Sequence, residues 1–237
     1  MSSYSTHSTV SSAATVAIRR PAPDNPYQLY FSHMPHASTR SLFKRALDIF
    51  GALIGLAILG VLLVPVAIAI RLDSAGPIFY SQERFGLQGH PFRIWKFRSM
   101  VTNADELKAS VANEAEGLIF KNAEDPRVTR VGRFLRKTSL DEFPQFWNVL
   151  KGDMSLVGTR PPTGDEVQYY SERHWQRLEV RPGLTGQWQV SGRSAIKDFE
   201  EIVTLDLHYQ QHWSPIYDVK LLILTVIALL SKRSGAY

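Results

Sequence analysis

The 237-residue chain contains no cysteine. That excludes a disulfide framework, a thiolate zinc or iron–sulfur site and a cysteine nucleophile together, and it fits a reducing compartment. Histidine is scarce: of seven, only His208 and His212 stand four apart, and HYQQH lacks the glutamate of a zinc-protease helix. That pair reads as a helix surface. Charge is missing from one whole stretch, the 22 residues from Ile49 to Ile70. As a helix it would reach about 33 Å, against a hydrocarbon core of about 30 Å. Its apolar residues run all round and leave no polar face, so the segment belongs in lipid. An acidic balance is absent too. The chain has 27 Lys+Arg against 22 Asp+Glu, a net +5, which favours phosphates, nucleic acid or an acidic membrane surface without choosing among them.

Residues 1–40 read as a disordered tail. They are rich in Ser and Thr, and Arg19-Arg20-Pro21-Ala22-Pro23 blocks a long helix. No basic head precedes an apolar run of signal-peptide length. Residues 41–72 form the membrane segment. Pro65 divides it, and the arm before the proline reaches about 24 Å, too short to cross. Arg40, Lys44 and Arg45 precede the segment, while Arg71 and Arg84 follow it. Basic flanks at both ends suit a re-entrant helix-break-helix with both ends on the cytoplasmic side. Residues 73–217 have the composition of a soluble globular domain, and any catalytic chemistry is expected there. Its pattern predicts strands at Ile78–Tyr80 and in FRIWKFRSM, and helices over 103–116, 128–137, 143–150, 163–178 and 198–213. Residues 218–237 hold an apolar run between basic ends, too short to span and suited to the interface. The fold class expected is α+β, mainly helical.

Basic residues cluster in three places. Lys96 and Arg98 stand two apart on a strand and share a face. Arg127, Arg130, Arg133 and Arg136 recur every three residues, as a helical stripe. Arg160 and Arg193 sit in Gly/Pro-rich loops. Nucleic acid is set aside, because no aromatic interleaving accompanies the stripe. With a membrane segment in the chain, headgroups or phosphorylated substrates suit these cations better.

Asp141-Glu142 is the acidic counterpart. Ser139-Leu140-Asp141-Glu142 has the form of a capping box, and Pro144 suits a first helical turn. The pair can therefore be a helix start and nothing more. Alternatively, adjacent carboxylates among Arg136, Lys137 and Arg160 can hold Mg²⁺ while the cations clamp phosphate oxygens. An aspartate there can also attack phosphorus.

From Lys44 onward the blocks KRALDI, GPIFYSQERFG, FRIWKFRSM, VGRFLRKTSLDEFPQFWNVLKGDMSLVGTRP, RPGLTGQWQVSGR and YDVKLLILTV follow one another. In these the chain resembles the bacterial sugar transferases, monotopic phosphoglycosyl transferases of the exopolysaccharide-initiating type. The resemblance implies transfer of a sugar-1-phosphate from a UDP-hexose to undecaprenyl phosphate at the cytoplasmic face of a bacterial inner membrane, releasing UMP. It implies Asp141 as the nucleophile of a covalent phosphosugar intermediate and Glu142 as a partner of the Mg²⁺ cofactor. It also implies Lys96, Arg136 and Arg160 as phosphate-binding cations, with Arg193 a further candidate and downstream glycosyltransferases as partners. Two positions depart from the family pattern. Val64 replaces the usual serine before the proline, and Thr159 replaces the first proline of G-P-R-P. The alternative class is a membrane-anchored scaffold that binds anionic headgroups without turnover.

Overall fold

The computed structural model describes residues 30–31, 36–192 and 195–230. A short helix α1 (Ala37–Arg40) leads into the long α2 (Leu42–Asp73). An antiparallel hairpin follows, β1 (Phe79–Phe85) and β2 (Pro91–Phe97), with Phe79 opposite Phe97. Helices α3 (Arg130–Lys137) and α4 (Gln145–Lys151) precede β3 (Ser155–Val157), α5 (Gly164–Val167) and α6 (Glu172–Gln176). Strand β4 (Gly183–Thr185) runs parallel to β3, and α7 (Gln187–Ser191), α8 (Phe199–Gln211) and α9 (Pro215–Leu230) follow. The architecture is mainly helical with two-stranded sheets, as the sequence predicts.

Most of the expected tail lies outside the described residues, but its end is docked. His36 Nε2 donates to the Gln210 carbonyl (3.1 Å), and its ring meets Trp213 edge-on. Phe31 is buried with Val167, Trp175 and Leu178, while Tyr30 stacks on Trp175. The low-complexity composition that marks the tail stops short of these anchors.

Helix α2 is long and apolar enough to cross a membrane, and only 11% of its most apolar window is buried. It is one helix through Pro65, where a break into two arms was expected. A proline removes one backbone bond, which bends a long helix without ending it. Its first turns are bolted to the domain by polar residues. Lys44 Nζ donates to Asp218 of α9 (2.7 Å) and to the Val157 carbonyl (2.8 Å), and Tyr209 and Trp213 complete the cage around Asp218. Arg45 donates to the Val149 and Leu150 carbonyls (2.8 and 2.7 Å) in the last turn of α4. Asp48 accepts from Ser155 Oγ and the Leu156 N–H, both at 2.8 Å. Lys44 and Arg45, read from sequence as a membrane flank, are thus folding residues.

The other end of α2 returns to the same domain. Val66 and Ile70 pack with Phe97 and Leu135. Asp73 accepts from the Val131 N–H in the first turn of α3 (2.8 Å). Between these anchorages the helix turns an apolar face outward, with Phe50, Val61, Val64 and Ile68 more than half exposed. Helix α9 adds Ile216, Val226, Ile227 and Leu230. Its Asp218 is buried in the cage with Lys44, so the expected boundary at 218 falls inside a helix that is part of the domain. Exposed apolar surface of this extent marks an interaction site.

Two predicted helices are not formed as expected. Residues 103–116 are loop with a short 3₁₀ turn, Glu106–Ser110. Asn113 bonds the Ala115 and Lys121 amides and the Ile119 carbonyl, offering the backbone an alternative to a helix. The stretch 163–178 divides because Thr163 caps α5 and Ser171 starts α6 with its own capping box.

Candidate active site

A cleft of about 990 Å³ opens between the β1–β2 hairpin, the end of α3 and the loops that carry Arg160 and Lys121. Lys96, Arg136, Asp141, Glu142 and Arg160 all line it, so five of the residues singled out from the sequence meet there.

The acidic pair is presented by a strained turn. Ser139 has φ 57°, a left-handed backbone that costs a residue with a side chain about 1–2 kcal/mol. It turns the chain from α3 into a 3₁₀ turn, Leu140–Glu142, which carries both carboxylates. The capping box is not formed. Ser139 makes no side-chain cap, and α4 starts only at Gln145. The left-handed residue points the turn away from a regular helix start, so the helix-cap explanation of the dyad fails on geometry.

Each carboxylate has a cation. Glu142 accepts from Lys96 Nζ at 3.1 Å, with both side chains about one quarter exposed. Asp141 is buried, 6% exposed. Burial pulls the Arg136 guanidinium below its usual range, and the Asp141 charge works most strongly against that shift. Arg136 is held by the docking of α3 on the strand end after β2. The Thr129 N–H donates to the Ser99 carbonyl (3.1 Å), and Arg136 Nε donates to Ser99 Oγ (2.9 Å). Gly132 makes the approach possible, since a Cβ there would lie 2.0 Å from the Ser99 carbonyl oxygen.

Arg160 closes the far side. Its Nη1 and Nη2 donate to the two oxygens of Glu166 (2.6 and 3.0 Å), and Thr163 caps α5 so that Glu166 faces inward. Burial works to raise the Glu166 carboxyl, but the Arg160 charge and hydrogen bonds hold it below the usual range. Beside it Arg84 donates to Gln82 and to the Pro161 carbonyl (3.0 Å). Burial, with Arg160 adding repulsion, pushes Arg84 down to about 10.

Other candidates fare differently. Arg98 also borders the cleft, but its Nη1 and Nη2 donate to the Ala75 and Ser74 carbonyls (2.6 and 2.7 Å), fastening the turn that follows α2. Arg193 lies outside the described residues. Arg127, read as part of a helical stripe, precedes α3 and forms a buried pair with Asp125 (2.7 Å) on the cleft wall. Arg84, Asp125 and Lys121 were not singled out as site residues. Arg84 lies on a strand that lines the cleft along its length, from Phe79 to Arg84, so alternation on β1 gives no signal that singles it out.

The carboxylates of the cleft bear on which metal it could hold. Among the described residues no group of three or more His, Asp or Glu could cage an ion. Mg²⁺ needs no such cage, because one or two carboxylates with substrate phosphate oxygens hold it. Asp141 and Glu142, adjacent on one turn at the cleft wall, could supply such carboxylates.

The chain is 52% identical over 189 residues to the galactosyl transferase CpsE of Streptococcus agalactiae, covering 79% of this chain and 42% of that protein. It is 39% identical over 199 residues to the UDP-glucose:undecaprenyl-phosphate glucose-1-phosphate transferase of Escherichia coli, covering 81% and 41%. Against the exopolysaccharide production protein ExoY of Rhizobium meliloti the identity is 36% over 200 residues, covering 82% and 88%. The chain therefore spans about two fifths of the first two relatives and most of the third. The family model for bacterial sugar transferases matches residues 39–232, which takes in α2, the whole cleft and α9, and the chain belongs to that family.

Proposed function

We propose that the protein is a phosphoglycosyl transferase at the cytoplasmic face of a bacterial inner membrane. It moves a hexose-1-phosphate from a UDP-hexose to undecaprenyl phosphate, the first membrane step of exopolysaccharide, capsule or O-antigen assembly. The observation that carries this reading is the adjacent carboxylate pair Asp141–Glu142 in one cleft with Lys96, Arg136 and Arg160. The names of the E. coli and R. meliloti relatives support the substrates and the pathway class.

The transfer runs in two displacements. An Asp141 carboxylate oxygen attacks the phosphorus that bears the sugar, and the bond from that phosphorus to the UMP oxygen breaks. UMP leaves, and the sugar phosphate stays on the enzyme as an aspartyl ester. A phosphate oxygen of undecaprenyl phosphate then attacks the same phosphorus, and the Asp141 carboxylate departs. Asp141 and Glu142, together with phosphate oxygens, would hold Mg²⁺, which would supply neutralising charge to the diphosphate. Arg136 and Arg160 stabilise charge that grows on phosphate oxygens in both steps, and Lys96 steadies Glu142. The proposed reaction predicts UMP release from a UDP-hexose that continues beyond a first turnover only with undecaprenyl phosphate, depends on Mg²⁺ throughout, and stops with EDTA. Assaying a panel of UDP-sugars with the full chain in vesicles tests it. No release from any of them would leave the scaffold reading.

The proposed membrane arrangement is re-entrant. Polar anchors at Lys44, Arg45 and Asp48, and again at Asp73, hold both ends of α2 against the same domain. A full crossing would have to break one set. The exposed faces of α2 and α9 would then lie in the headgroup and upper acyl region, placing the cleft at the depth of the acceptor phosphate. Accessibility tags at the N-terminus and in the β1–β2 turn are expected to report the same, cytoplasmic, side. A periplasmic N-terminal tag would establish a span.

A further inference from the structure

The basic residues of α3 and of the loop just before it divide into those with acidic partners and those without them. Arg127 pairs with Asp125, and Arg130 reaches Asp73. Arg133 and Lys137, one turn apart on the exposed side of α3, are in no ion pair among the described residues. They would ordinarily count as solvated surface charge. Here both line a second cleft, of about 540 Å³, whose other wall is the loop from Asn122 to Val128. Asn122, Ala123, Asp125 and Arg136 belong to both clefts. Arg136 is thus the basic residue in the wall shared by the cleft that holds the dyad and a second cavity on its flank. The acids there are Asp125, already neutralised by Arg127, and the exposed Glu124.

Exposed apolar surface lies on the helix that carries the cations of this cavity and on the helix end fastened to it. The first turn of α3 is fastened to the end of α2 through Asp73. Leu72 at that end is 84% exposed and Phe134 on α3 is 60% exposed. A phosphate whose ester carries a hydrocarbon chain needs cations beside apolar surface, whereas a nucleotide sugar has no use for the latter. Its volume falls within the range of small-ligand sites.

Resting on the two-displacement reading above, the geometry points to the second cleft as the entry subsite for the lipid acceptor. Arg133 and Lys137 receive its phosphomonoester and pass it to Arg136, which faces the sugar phosphate on the other side. Donor and acceptor would approach Asp141 from different cavities. The same cations could instead meet the headgroups of bulk anionic lipid, and the test separates the two sources of phosphate.

The test uses the full-length chain in vesicles and the double variant Arg133→Ala/Lys137→Ala. A hydrogen bond to a charged group carries about 1.5–3 kcal/mol, so its loss should raise the KM for undecaprenyl phosphate by about tenfold or more. UMP released in the first turnover without acceptor should stay within about twofold of wild type. Binding to phosphatidylglycerol vesicles that lack acceptor should also be unchanged. The charge-preserving pair Arg133→Lys/Lys137→Arg should restore most of the acceptor KM. An unchanged acceptor KM in the alanine variant overturns the subsite. So does a loss of vesicle binding that accounts for the rise, which would assign the cations to bulk lipid. Absence of a first-turnover burst in the wild type would count against the covalent step alone, because the acceptor KM still reads the subsite.

Discussion

Replacing Arg160 by alanine should lower turnover by about 10²–10³, the usual loss when a preorganised donor to a developing oxyanion is removed. The size of the effect follows from how firmly the guanidinium is fixed. Both Nη atoms are held by Glu166 at 2.6 and 3.0 Å, so the side chain enters the reaction already oriented. The substitution also leaves Glu166 buried without its main counter-charge, which adds a stability cost with a defined pH signature. In the wild type the Glu166 carboxyl lies below its usual value: burial works to raise it, and Arg160 outweighs burial. A depressed carboxyl pKa stabilises the fold above the unfolded-state value and loses that contribution as pH falls through the folded-state value. The stability difference between wild type and Arg160→Ala should therefore be greatest near neutral pH and shrink in acid. Thermal unfolding at pH 7 and below pH 4, alongside turnover of the folded fraction, checks both parts. Full turnover in folded Arg160→Ala would leave Arg160 a structural partner of Glu166.

The sequence and the structure agree most closely where chemistry fixes residue type and disagree where a charge has more than one use. Lys96, Arg136, Arg160 and the Asp141–Glu142 pair were legible because cations and carboxylates recur at short spacing in blocks with a family resemblance, and the fold brings them to one cleft. Arg98 has the same strand face as Lys96 in the sequence, yet it donates to the Ser74 and Ala75 carbonyls and so fastens the turn that follows α2, a use that only the tertiary structure reveals. Lys44 and Arg45 read as a basic membrane flank for the same reason: nothing local reveals that Asp218, 174 residues away, is waiting for Lys44. Long-range pairing of this kind has no signature in a local pattern. The dyad shows the opposite failure, in which a local pattern is complete but unused. S-x-x-E is present from Ser139 to Glu142, and the left-handed Ser139 prevents the cap from forming. Periodicity identified α3, α4 and α8 well, whereas Asn113 and Ser171 diverted backbone in two stretches whose apolar spacing alone suggested helix.

The second large effect belongs to Asp141, whose side chain is buried at the cleft wall with Arg136 nearby. Changing it to asparagine keeps the shape but removes the anionic oxygen that would become the ester, so the covalent step should stop. The fold should survive, since the dyad caps no helix and the change is nearly isosteric. Circular dichroism and vesicle binding equal to wild type would establish that survival. The decisive measurement is trapping: UDP-hexose labelled in the phosphate next to the sugar is supplied without acceptor, and protein-bound label is counted after denaturation. Label on the wild-type protein that is discharged by undecaprenyl phosphate, with none on Asp141→Asn, is the result the mechanism requires; equal label or equal turnover in both proteins would contradict Asp141 as the nucleophile.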